Sequence, residues 1–165
     1  RIMSWDNIKN INDAKLKDWS LGENYAGSAG LYSEDMGAEE MGFHVEILPA
    51  GKYSCPYHFH HAEEELFLVL EGEATLRQNE EFRVVKKGDL IFFKTGPEFC
   101  HQFYNHTEND FKFFALSSKN ALDVCEYPDS DKILVRNVKK VYPRGKAVPY
   151  ITGEENPEKF WPKKK

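Results

Sequence analysis

Short apolar runs recur along the middle of this chain, and residues that favour turns separate them. The turns include Glu-Gly-Glu at 71–73 and Lys-Gly-Asp at 87–89, where glycine and charged residues interrupt the apolar pattern. Repeated short strands of this kind predict an all-β barrel or sandwich. The runs cover residues 43–48, 66–70, 74–77, 82–85, 90–93, 101–104, 111–116 and 133–135.

The chain divides into three parts, which we predict to form a single domain. Residues 1–42 are polar with scattered aromatics, and we expect an N-terminal arm that packs on the barrel as a short helix or an irregular wrap. Residues 43–136 hold the apolar runs and form the predicted barrel. Residues 137–165 form a C-terminal extension that we expect to wrap the barrel or a partner subunit, since prolines disfavour long regular structure there.

The composition of the chain limits the classes of molecule that the protein is expected to bind. The 165 residues are 41% hydrophobic, which is enough to bury a sizeable core in one domain. The net charge of −5 and the absence of a basic stripe or helix-turn-helix pattern disfavour nucleic-acid binding. No segment approaches the ~20 consecutive apolar residues that span a bilayer, and the polar start lacks the apolar core of a signal peptide. We therefore expect a cytoplasmic protein that binds neither nucleic acid nor membrane.

The three cysteines, Cys55, Cys100 and Cys125, form an odd set without a CxxC pair. This pattern argues against a disulfide framework and for a reducing compartment. On a strand, Cys100 faces away from its neighbour His101. We expect buried free thiols.

Four side chains have the spacing of a metal site. His58 and His60 are two residues apart, so on a β-strand they point to the same side and can share one ion. Glu65 adds a carboxylate from the next strand, and His101 adds an imidazole from a later one. We predict that these four residues bind one divalent metal ion.

The first of these segments resembles the first motif of the cupin superfamily. It reads Gly51-x6-His58-x-His60-x4-Glu65-x6-Gly72. Glutamates also occupy positions 63 and 64, and the fixed six-residue gap before the glycine of the motif selects Glu65 as the ligand.

The second segment resembles the second cupin motif with two departures. It runs from Gly88 to Asn105 and keeps the ending His-x3-Asn after His101. Lys94 replaces the usual proline, and two extra residues separate Gly96 from His101. The loop before His101 is therefore expected to be longer than usual.

The resemblance implies a double-stranded β-helix barrel with a metal ion inside its mouth, and a homodimer. The same superfamily includes dioxygenases, decarboxylases, isomerases and non-catalytic sensors, so the fold alone does not give the function. Residues 126–130, Glu-Tyr-Pro-Asp-Ser, resemble a segment of small bacterial cupins, some of which are labelled sugar-phosphate isomerases.

The predicted ligands suit iron(II), manganese, nickel or zinc, and they leave coordination positions open for a substrate. Four further side chains are candidates for moving protons: Tyr57, His44, Glu46 and Tyr104. We expect His61 and His106 to face away from the site, because each neighbours a motif residue.

These residues favour a metal-dependent enzyme that acts on a small oxygenated molecule. Isomerisation of a sugar or sugar phosphate is placed slightly ahead of dioxygenation. Two alternatives remain open at this point: a non-catalytic barrel that senses a metabolite or stores a metal, and a structural barrel in which the ion only ties strands together.

Overall fold

The computed structural model describes residues 5–145 and 147–161. Within these ranges the chain forms β-strands, one short α-helix, α1 (Tyr32–Asp35), and several 3-10 turns. The strands are β1 (Lys17–Leu21), β2 (Tyr25–Gly30), β3 (Met41–Leu48), β4 (Phe59–His60), β5 (Glu65–Glu71), β6 (Glu73–Gln78), β7 (Glu81–Lys86), β8 (Leu90–Phe93), β9 (His101–Tyr104), β10 (Phe111–Ser118), β11 (Val124–Tyr127), β12 (Lys132–Val135) and β13 (Lys140–Pro143).

The named strands pair antiparallel and form three sheets. The largest sheet has the order β1-β2-β3-β10-β5-β8, the second β13-β12-β11-β4, and the third β7-β6-β9. All eight apolar runs predicted from the sequence lie in strands of these sheets, so the prediction of an all-β fold is confirmed. Among the described residues no helix is long and apolar enough to cross a membrane.

The N-terminal arm contains the short helix α1 and also a β-hairpin that its sequence did not predict. It contains one 3-10 turn, Ile11–Asp13, and then the hairpin β1–β2, whose second strand pairs with β3 and extends the largest sheet. The hairpin was missed because its strand residues include Lys17, Asp18 and several small side chains, which give no clear apolar alternation. The arm thus packs on the barrel by continuing its hydrogen-bonded ladder.

Aromatic side chains fill the core of the barrel. Phe67 at its centre lies within 6 Å of the ring centres of Phe93, Phe103 and Phe113, at 5.5, 5.3 and 5.6 Å. These rings are almost completely buried, and they pack with aliphatic side chains from β3, β5, β6 and β7. Since each buried phenylalanine stabilises the fold by roughly 1.5–3 kcal/mol, this cluster contributes a large part of the stability of the barrel.

Gly72 and Asn105, the final residues of the two motifs, have structural roles. Gly72 has a φ of 73°, and a Cβ atom there would collide with the carbonyl oxygen of Asp110. Asn105 is fully buried, and its side-chain amide donates to the carbonyl oxygens of Leu48 and Asn109 at 2.8 and 2.7 Å. Both residues therefore fix turns at the end of the barrel and are not ligands.

Candidate metal centre

The backbone brings the two motifs together at His58 and His101. The amide of His101 donates to the His58 carbonyl oxygen at 2.8 Å, and the amide of His58 donates back at 3.2 Å. This isolated bridge places the two imidazole rings 4.7 Å apart between their centres. His60 follows on β4, with its ring centre 5.1 Å from that of His58. Glu65 opens β5 on the same side.

Each of the three histidines uses its Nδ1 atom to hold its ring in place. Nδ1 of His58 lies 2.9 Å from the carbonyl oxygen of Pro56, and Nδ1 of His101 lies 3.0 Å from that of Phe99. Nδ1 of His60 lies 2.7 Å from a carboxylate oxygen of Asp123. Because these oxygens only accept hydrogen bonds, each Nδ1 carries the proton.

The Nε2 atoms therefore keep their lone pairs, and two of them face Glu65 directly. Nε2 of His101 lies 3.2 Å from Oε2 of Glu65, and Nε2 of His60 lies 3.5 Å from it. That oxygen is buried and has no hydrogen-bond partner among the described residues. Two imidazole nitrogens and a carboxylate oxygen that converge on one buried point form a donor set that fits a metal ion.

The electrostatics of the site favour the protonation states that a metal requires. Burial lowers the pKa values of His58 and His101, so their rings are neutral at pH 7. Burial alone would raise the pKa of Glu65, but the nearby imidazoles of His101, His60 and His58 outweigh burial and lower the pKa to about 2. Neutral imidazoles and an ionised carboxylate are the forms that bind metal ions. Ligand atoms of His58, Glu65 and His101 lie within 4.8 Å of one another.

The extra residues before His101 form a turn of 3-10 helix, Pro97–Phe99. Its last residue, Phe99, supplies the carbonyl oxygen that accepts from Nδ1 of His101. The ring of His101 also stacks on Phe93 at 3.7 Å between centres, with 5° between the planes. The longer loop is therefore compatible with the site, because it orients the ligand.

A cavity of about 190 Å³ adjoins the ligands and contains two of the four side chains considered for proton transfer. His44 and Glu46 lie two residues apart on β3 and point to the same side, with Nε2 of His44 3.2 Å from Oε2 of Glu46. The other oxygen of Glu46 is buried without a hydrogen-bond partner in the described part of the chain. The cavity also includes Phe67, Phe103, Phe113, Ser54 and Cys55.

Tyr57 and Tyr104 do not line this cavity. Tyr57 lies under the guanidinium of Arg77, whose central carbon is 3.7 Å from the ring centre. Tyr104 stacks on Tyr53 at 4.5 Å between centres. Each tyrosine is an odd number of residues from the nearest ligand histidine, so strand alternation turns it to the opposite face.

The neighbouring histidines face elsewhere, as strand alternation predicts. His61 is about half exposed and pairs with Glu126 at 2.7 Å. His106 contacts Thr75 at 2.9 Å. Glu63, which precedes β5, is buried and accepts from Arg136 at 2.6 Å.

Strand β11 supplies a wall of the site that the sequence analysis missed. Asp123 immediately precedes it and bonds His60, and Tyr127 stacks on His58 at 5.8 Å between ring centres. Cys125 lies between them, opposite His60 in the strand register, with its sulfur within 4.8 Å of ligand atoms of His58 and His60. The alternation of these three residues is a strand signal, but nothing in the sequence indicates that this strand pairs with the very short β4.

Comparison with known proteins shows a similarity between the central part of the chain and one domain family. Residues 44–117 match the family model described as the cupin domain. These residues are therefore similar to a cupin domain, and the antiparallel sheets have the double-stranded β-helix fold. A search of curated proteins finds no significant match.

Several solved structures share this fold. One is a candidate sugar phosphate isomerase from Acidithiobacillus ferrooxidans, with a TM-score of 0.76 and 24% identity over 84% of this chain and 92% of that chain. A cupin-superfamily sugar phosphate isomerase from Silicibacter pomeroyi gives a TM-score of 0.73 and 19% identity over 86% and 96%. A polyketide cyclase from Streptomyces resistomycificus gives 0.57 and 20% over 89% and 93%. At these identities the similarity establishes the fold.

Proposed function

We propose that the protein is a metal-dependent enzyme that isomerises a sugar, a sugar phosphate or a similar small oxygenated molecule. The observation that carries this proposal is the buried oxygen of Glu65, which faces the unprotonated Nε2 atoms of His60 and His101. The presence of His44 and Glu46 in the adjoining cavity supports a catalytic use of the site. Two proteins of similar fold carry sugar phosphate isomerase names, which supports this reaction class.

His58, His60, Glu65 and His101 would hold the ion. Imidazole and carboxylate donors suit iron, manganese, nickel and zinc. When bound, the ion supplies a Lewis acid that polarises a substrate oxygen. Four protein donors leave room for that oxygen in five- or six-coordinate geometry.

The His44–Glu46 pair would move the proton. Isomerisation of a hydroxy-carbonyl compound through an enediol moves one proton between neighbouring carbons and a second proton between their oxygens, and a base next to the carbons can carry the first. Glu46 presents one carboxylate oxygen without a partner, and His44 contacts the other at 3.2 Å. In this arrangement Glu46 is the base, and His44 orients its carboxylate. The aromatic wall around the pair limits the access of water to the reacting carbon.

Cobalt(II) substitution combined with a product assay tests the proposal. We expect small carboxylates and hydroxy-ketones to change the visible spectrum of the cobalt protein, because they displace water from an open position. Aldose–ketose interconversion of a panel of sugars and sugar phosphates should be detected with the same protein. An unchanged spectrum across the panel would contradict an open site and favour the structural alternative.

The assay also separates the remaining functions. Spectral changes without turnover of any panel member would favour a metabolite sensor. Oxygen consumption by the iron-loaded protein, without isomerisation, would favour a dioxygenase.

The three cysteines are free thiols, which suits a protein that works in the reducing cytoplasm.

We also propose a homodimer, and the structure offers a surface for it. β7 and β8 each end a sheet, and their outward side chains include Phe82 and Leu90, which are 70% and 66% exposed. Unpaired strand edges beside apolar side chains favour pairing with a second copy. Val84 and Phe92 continue this surface.

Light scattering at micromolar concentration should give the mass of a dimer for the unmodified protein. Phe82→Lys combined with Leu90→Lys should shift the mass to that of a monomer, because it places charges on the proposed interface. Leu21→Lys is the matched control, since Leu21 is also 70% exposed but lies at the turn of the arm. A monomeric unmodified protein would contradict the proposal.

A further inference from the structure

Asp123 forms a buried pair with His60 behind the candidate metal centre. The two side chains are 1% and 8% exposed, and one oxygen of Asp123 lies 2.7 Å from Nδ1 of His60. The other oxygen accepts from the amide of Ala62 at 2.8 Å. Both carboxylate oxygens are therefore used within one short stretch around the ligand.

Charged residues around this pair keep Asp123 in position. Arg136 donates to Glu63 at 2.6 Å, and its Nε atom lies 3.9 Å from the same Asp123 oxygen that contacts His60. Glu63 in turn accepts from the amide of Asn120 at 2.8 Å. The guanidinium balances part of the buried negative charge, and the loop at 120–123 is tied to the segment between β4 and β5.

From this geometry we infer that Asp123 is a positioning residue that sets the tautomer and orientation of His60 for metal binding. The inference rests on the proposed metal centre. A carboxylate can only accept at Nδ1, which fixes the proton there and leaves the Nε2 lone pair directed at the ion. Nδ1 of each of the other two histidines contacts a backbone carbonyl oxygen, so His60 is the one of the three with a carboxylate at this atom.

Asp123→Asn separates this role from a simple packing role. The amide has nearly the shape of the carboxylate, but it has only one oxygen and cannot accept from both His60 and Ala62. When the amide nitrogen faces His60, it donates to Nδ1 and favours the tautomer with the proton on Nε2. That tautomer has no lone pair for the metal.

Glu126→Gln is the matched control. Glu126 lies on the same strand, and its carboxylate contacts His61 at 2.7 Å on the side away from the site. The control removes the charge of a comparable histidine–carboxylate pair that has no role in metal binding.

Zinc affinity should be measured by chelator competition on the unmodified protein and both variants. We expect Asp123→Asn to weaken zinc binding about 10–100-fold, the usual effect of losing a partner of a metal ligand, and Glu126→Gln to leave it unchanged. Equal affinity of all three proteins would overturn the inference while leaving the metal centre intact. Absence of zinc binding by the unmodified protein would instead contradict the proposed function.

Nitrogen-15 NMR of the histidine rings gives a readout that packing alone would not move. In the metal-free unmodified protein, His60 should carry its proton on Nδ1, and Asp123→Asn should populate the Nε2 form. Because the measurement on the unmodified protein needs no variant, it tests the role of Asp123 even if Asp123→Asn does not fold. A His60 ring protonated on Nε2 in the unmodified protein would overturn the inference.

Discussion

Replacing His58 or His101 by alanine should abolish stoichiometric metal binding. Each substitution removes one imidazole from the centre, so the loss of affinity should exceed the about 10–100-fold caused by losing a partner of a ligand. The fold should persist, because the phenylalanine cluster around Phe67 holds the barrel strands together. Metal content after chelation and reloading, measured by mass spectrometry beside circular dichroism, gives the result.

His61→Ala is the control for these variants. His61 lies next to His60 in sequence, but its ring is about half exposed and pairs with Glu126. It should therefore retain full metal content. Full occupancy in both His58→Ala and His101→Ala would refute the ligand assignment.

The second large effect is expected for Glu46→Gln. The amide cannot accept a proton from carbon, so kcat for the proposed isomerisation should fall by about 10²–10⁴, the usual contribution of a general base. Metal content should stay unchanged, because Glu46 is paired with His44 and not with the ligand set. Turnover and metal content measured on the same preparation separate the two effects.

Tyr104→Phe provides the comparison for Glu46→Gln. It removes a hydroxyl but preserves a ring that stacks on Tyr53 outside the cavity. Its turnover should equal that of the unmodified protein. If Tyr104→Phe loses activity and Glu46→Gln keeps it, proton transfer must be assigned to Tyr104 on β9.

The central strands could be predicted from the sequence because turn residues separate their apolar runs. The strands of the arm and of the C-terminal region were harder to recognise. β4 contains only Phe59 and His60, and β11 depends on β4 and β12 for its pairing. Such elements form because neighbouring strands supply hydrogen bonds, and the local sequence does not show which strands will be neighbours.

The four donors of the proposed metal centre could be named from the sequence, because the two-residue period places imidazoles on one face, and the structure brings the four side chains close together. The residues that hydrogen-bond to those donors could not be predicted from the sequence. Asp123 lies 63 residues from His60 in the chain, and only the pairing of β4 with β11 brings them together. Similarly, Phe99 orients His101 through its backbone, which any residue type at that position could supply.

The size of the cavity has a consequence for regiochemistry. About 190 Å³ is small beside the ~300–1,000 Å³ of a typical ligand pocket, so the cavity suits a small molecule or one end of a larger one. A longer chain must insert one terminus and leave the remainder outside. The carbons that meet Glu46 would then be those near the inserted end.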